Sequence, residues 1–118
     1  MRIALAAAFM LWLSAPADAA DAAERVARCV FTSGGPDRPW RGPCVFSADR
    51  DGSFALTPVE GRDMDGMEGF SLDIIRPGVG RAEYMMTSGR HEDAGILHRS
   101  RRDPACWESG RGFSVCVY

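Results

Sequence analysis

Four cysteines, six methionines and two histidines hold most of the reactive chemistry open to this chain of 118 residues. Cys29, Cys44, Cys106 and Cys116 could bind metal as thiolates or pair as disulfides. No two of them stand in the C-x₂-C spacing that structural zinc sites use, so oxidation to two bridges is the expected outcome. Met64, Met67, Met85 and Met86, taken with His91 and His98, form a soft donor set that would suit Cu(I). The competing reading places Met86 in the core and the acidic stretch Gly61–Gly69 in a solvated connection or a docking loop for a basic partner.

A second metal pattern runs from Asp49 to Glu60. Asp49, Asp51, Ser53 and Glu60 fall where an EF-hand loop places oxygens at positions 1, 3, 5 and 12. Position 6, which needs glycine for its sharp turn, is Phe54, and Pro58 interrupts the second half. The favoured reading is a hairpin turning at Asp51-Gly52. No metal and no cofactor is expected; copper or calcium binding is the alternative.

Catalytic machinery is sparse. The cysteines are committed to bridges, and no serine sits in a nucleophile context. His91-Glu92-Asp93 reads as an exposed turn, and His98–Arg102 as a basic loop able to grip a carboxylate or phosphate. The chain is therefore not expected to be an enzyme. Trp40 is more suggestive, because Arg38 and Arg41 flank it in a loop rich in glycine and proline. Tryptophan beside arginine is the composition of a protein-interface hot spot; the rival reading folds Trp40 back as a lid on the core.

The elements that must position these residues are short and extended. Apolar or β-branched runs alternate with clusters of Gly, Pro, Asp and Ser, and no segment keeps helical periodicity for three turns. Strands are expected at Arg28–Thr32, Cys44–Ala48, Ser53–Val59, Gly69–Arg76, Gly80–Thr87 and Ile96–Arg99, with a closing hairpin over Ala105–Tyr118. Residues 20–28 read as a helical turn or frayed lead-in. The fold class is all-β: a small antiparallel meander forming a barrel or a sandwich. Its expected interior holds Phe54, Leu56, Phe70, Leu72, Ile74, Tyr84, Trp107, Val115 and Val117.

Four cysteines permit three connectivities, and the sequence does not choose among them. Local loops rank Cys29–Cys44 and Cys106–Cys116 first. The second pairing sets Trp107 opposite Val115 and leaves Gly110-Arg111-Gly112 as a three-residue loop, whose glycines supply the left-handed backbone it needs. A bridge joining first and last strands is the main competitor.

Export is read from the N-terminus. Met1-Arg2, the apolar run Ile3–Leu13 and the small-x-small site at Ala17-Asp18-Ala19 make a secretory signal peptide over residues 1–19. Residues 20–118 then form one β domain in the periplasm or outside the cell, where disulfides persist. The apolar run is too short for a membrane anchor, and Arg28 before Cys29 argues against a lipoprotein. The 14 basic residues, all arginine, stand against 16 carboxylates for a net charge of −2. That balance gives nucleic acid no basic surface, and a monomer is expected.

From Tyr84 onward the pattern AEY…SGR…ILHR…ACW…VC resembles the periplasmic inhibitors of C-type lysozyme. That family is a small exported antiparallel β-barrel with an SGxxY motif and a later basic loop. Gly80-Arg81-Ala82-Glu83-Tyr84 keeps the tyrosine and lacks the family's serine and glycine, so the resemblance carries over Tyr84 alone. The ACW…C ending also resembles small exported proteins of Gram-negative bacteria, a likeness that implies no activity. The functional expectation is an exported binding module, an inhibitor of a hydrolase such as lysozyme, with Arg38, Trp40, Arg41 and Tyr84 as candidate partner contacts. A structural envelope component is the alternative.

Overall fold

The computed structural model describes residues 23–118, so the expected signal peptide lies outside the described residues. Eight antiparallel strands follow one another: β1 (Ala23–Ser33), β2 (Trp40–Ala48), β3 (Phe54–Thr57), β4 (Met67–Arg76), β5 (Val79–Met86), β6 (His91–Arg99), β7 (Cys106–Glu108) and β8 (Phe113–Val117). Each pairs with the next, and β8 returns to β1, so the sheet closes into a barrel. No described helix is long and apolar enough to cross a membrane.

Period-2 patterning turns one face of every strand inward, and at eight strands those side chains fill the interior. Phe54, Leu56, Phe70, Leu72, Trp107 and Val115 are buried, while Ile74, Tyr84 and Val117 pack against them half-buried near the barrel ends. Six ring contacts, with centroids 5.4–6.5 Å apart, join Trp40, Phe31, Phe70, Phe113, Phe54, Phe46 and Trp107. Those separations are in the favourable aromatic range, so the core is one connected aromatic cluster.

Three elements depart from the sequence expectation. Residues 23–28, expected as a lead-in, belong to β1, because Ala23–Arg28 pair with Pro43–Ala48 of β2. The ladder also runs past Cys29 and Cys44, through Val30↔Arg41 and Phe31↔Trp40, so only Gly34–Pro39 remain as loop. The third departure is β6, which begins at His91 rather than Ile96. Gly95 has φ +78° there, its N–H donates to Asp93 Oδ1 at 2.7 Å, and the pairing register with β5 shifts. This bulge moves the inward positions from Glu92 and Ala94 to Leu97, which breaks the alternation that reveals a strand.

The two bridges are the local ones. Cys29–Cys44 lies inside the barrel with both residues fully buried. Cys106–Cys116 joins directly opposed residues on the outer face, beside Val30. The closing hairpin has the expected register: Trp107 faces Val115, and Ser109 N–H donates to the Phe113 carbonyl at 2.9 Å. Its tip touches the β1–β2 loop, where a Cβ on Gly112 would fall 2.7 Å from the Gly34 Cα. Glycine at 112 thus permits a backbone-to-backbone contact as well as its positive φ of 97°.

Candidate functional site at the barrel mouth

The two barrel ends differ. At one end arginines stack on core rings: the Arg25 guanidinium lies 5.0 Å from the Phe46 centroid and that of Arg99 lies 5.2 Å from Trp107. Arg99 Nε also donates to the Pro104 carbonyl at 3.0 Å. These cation–π contacts cover that end with alkyl stems and planar cations.

The opposite end opens into a cleft of about 520 Å³, within the size range of small-ligand sites. β1 contributes Phe31 and Thr32, β4 Met67, β5 Tyr84 and Met86, β6 Glu92, and β8 Phe113. Inward alternation brings Phe31, Tyr84, Met86, Glu92 and Phe113 to the mouth, and Thr32, on the alternate face of β1, reaches it from the strand end. Tyr84 and Glu92 are register partners, and the Tyr84 hydroxyl donates to Glu92 Oε2 at 2.5 Å. Arg90 Nε and Nη2 both engage Glu92 Oε1 as donor and ion pair.

The electrostatics follow from that chain of contacts. The hydrogen bond to Glu92 holds the Tyr84 phenol above its ordinary 10.0, with burial adding to it. Glu92 is held below its ordinary 4.5, first by the Tyr84 hydroxyl and then by Arg90. The rim is therefore tyrosine neutral, glutamate charged and arginine paired at neutral pH.

The turn before β4 closes the mouth on one side. Asp63 Oδ1 accepts from Gly66 N–H at 3.0 Å, Met67 N–H donates to the Met64 carbonyl at 2.9 Å, and Thr87 N–H donates to the Gly66 carbonyl at 2.9 Å. Met64 beneath this turn is fully buried. Asp65 at its crest has φ +53°, the only non-glycine residue among those described with positive φ. Its carboxyl is held above the ordinary 3.8 by burial first, then by the negative charges of Asp63 and Asp37.

The sequence-predicted contacts divide. Trp40 and Tyr84 both turn inward at the mouth end, Trp40 half-buried against Phe31 and Tyr84 on the cleft. Arg38 is exposed in the β1–β2 loop, and Arg41 is exposed on the outer wall opposite Val30. The methionine set divides: Met67 and Met86 are register partners on the cleft, Met64 is fully buried, and Met85 is exposed on the outer face. Gly61–Gly69 is therefore not solvated throughout, because Met64 and Met67 within it are buried. In the calcium-like segment, Ser53 N–H donates to Asp51 Oδ1 at 2.8 Å in the β2–β3 turn, while Phe54 and Leu56 point inward.

Sequence reasoning missed Arg90, which ends the β5–β6 connection, and Glu92, in a stretch it read as an exposed turn. The opposite charges of Arg90 and Glu92 at i, i+2 spacing were the available signal, obscured because the bulge at Gly95 hides the strand that Glu92 belongs to. Compared with known proteins, the chain matches no family model, no curated protein and no solved structure.

Proposed function

We propose that the protein is an exported binding module that acts by surface contact through the open end of its barrel, on a protein partner such as a lysozyme-type hydrolase. The observation that carries this reading is the asymmetry of the ends: arginines cover one, and the other holds an aromatic cleft of about 520 Å³. Tyr84, the one residue the family resemblance carries over, lies on that cleft and is fixed by Glu92. Two disulfides cross-link the barrel that carries it, and a preorganised scaffold loses little entropy on binding. Export is supported by the bridges, which persist in oxidising compartments.

A lysozyme lysis assay with the purified oxidised domain tests the reading. Inhibition is expected, with Tyr84→Ala and Glu92→Gln weakening it far more than Arg41→Ala on the outer wall. Lysis that proceeds unchanged at saturating domain would remove the hydrolase as target. Inhibition that depends on Arg41 and ignores Tyr84 would move the contact off the mouth.

A further inference from the structure

We infer that the mouth cleft is a seat for a basic side chain, arginine foremost, presented by the partner protein. The inference rests on the reading of the mouth as the contact surface and adds the chemistry of what enters it.

The cleft walls include Phe31, Tyr84 and Phe113 together with the thioether of Met86. Aromatic faces and polarisable sulfur make a lining that accepts an alkyl stem and attracts a cation. A guanidinium is planar and weakly hydrated, so it enters such a lining at lower desolvation cost than an ammonium.

Charge at the rim has the complementary sign. Arg90 is the one basic residue lining the cleft among those described, and Glu92 already pairs with it. Asp65 also lines the cleft, and the charges that act on its carboxyl, those of Asp63 and Asp37, are negative. A carboxylate at the edge of an apolar hollow, with further negative charge and no cation acting on it, favours a cation and disfavours an anion.

Asp65 is also built into place. The Gly66–Thr87 hydrogen bond straps its turn to the β5–β6 turn, and buried Met64 anchors it from below. Its left-handed backbone is a cost that an aspartate tolerates better than most residues. A neutral apolar ligand would fill the hollow and leave this charge unanswered; a basic side chain satisfies both.

Resonance-resolved titration of the oxidised domain with Nα-acetyl-arginine methylamide tests the inference. The citrulline analogue serves as a neutral isostere, and Nα-acetyl-glutamate methylamide as an anion. The arginine compound is expected to shift Thr32, Tyr84 and Met86 signals and to bind roughly three- to thirtyfold more tightly than citrulline, the range of a cation over aromatic faces. Asp65→Asn keeps a residue that accepts positive φ, so the fold survives, and it should remove most of that preference. Citrulline binding as tightly as arginine, or glutamate binding more tightly, would overturn the cation seat while leaving the mouth as a ligand site. Failure of all three probes to move mouth signals overturns it as well. Lysozyme inhibition that persists in Asp65→Asn would then show the binding-module reading standing without the seat.

Discussion

The indole of Trp40 lies across the backbone of Gly42, two residues further along the same strand. A Cβ placed on Gly42 would come within 2.6 Å of Trp40 Cζ2 and 2.7 Å of Cη2. Both residues face the interior near the mouth, so the absent side chain at 42 is the space the ring occupies. The tryptophan then reaches Phe31 at a centroid distance of 5.8 Å and joins the aromatic core. Trp40 is thus a lid on the barrel interior held by a glycine, and Arg38 and Arg41 beside it remain outside.

Gly42→Ala is therefore expected to push the ring off its seat. Overpacking of this kind costs about 1–3 kcal/mol, offset in part by the better strand propensity of alanine. Urea unfolding should show a lower midpoint with an unchanged slope, and tryptophan emission should shift to the red as the ring enters water. An unchanged midpoint would mean that the ring has another place to lie.

How far the sequence speaks can be judged at three residues. Leu72 was legible, because Phe70, Leu72 and Ile74 alternate with polar neighbours and the period-2 rule needs nothing more. Cys116 was legible in its pairing, since Gly110 and Gly112 fix a hairpin register that sets it opposite Cys106. Met64 was not. Burial of a single residue inside an acidic, glycine-rich turn leaves no period to read, and only the closed barrel shows that the turn folds over an opening. The cleft was illegible for a related reason. Phe31, Tyr84, Glu92 and Phe113 come from four strands, and closure of β8 on β1 is what assembles them.

The two bridges should differ in access. Cys29 and Cys44 are fully buried within the barrel, whereas Cys106 and Cys116 lie on the outer wall at 7% and 8% exposure. Mild reductant on the folded protein is expected to open Cys106–Cys116 first, read by alkylation and peptide mass. Losing the inner bridge closes off less unfolded-state entropy and should cost about 3 kcal/mol, given its span of about 15 residues. Simultaneous reduction of both would indicate that opening is global unfolding rather than surface attack.

Tyr118 supplies a pH-dependent lock. The Tyr118 hydroxyl donates to Asp103 Oδ2 at 2.6 Å, and Ala105 N–H donates to Asp103 Oδ1 at 3.0 Å. Asp103 is held below its ordinary 3.8, first by Tyr118 and then by Ala105, and Tyr118 is raised above its ordinary 10.0 by the same bond. The depressed aspartate contributes above pH 3.8 and loses that contribution as pH falls through its folded value. The raised tyrosine contributes below pH 10.0 and loses it as pH rises through its own. The melting-temperature difference between the parent and Tyr118→Phe should therefore be a plateau that collapses at both ends. A difference that stayed constant in acid would show that Asp103 gains nothing from the hydroxyl.

Met64→Ala tests whether the acidic turn is a built part of the mouth. Truncating a fully buried methionine leaves a cavity and costs about 2–5 kcal/mol. The cost should be accompanied by a local effect, because Met64 lies under the turn that carries Asp65 and reaches Thr87 through the Gly66 carbonyl. Amide exchange at Thr87 is expected to accelerate more than exchange at Val117, whose N–H donates to the Ala105 carbonyl at the far end of the barrel. Low-stability segments open locally while core strands report the global free energy, so the ratio of the two rates separates turn loosening from overall destabilisation. Equal acceleration at both amides would make Met64 an ordinary core residue and leave the turn held by its hydrogen bonds alone. Preferential acceleration at Thr87 would establish that a side chain from an acidic loop, packed beneath the opening, sets the shape of the cleft.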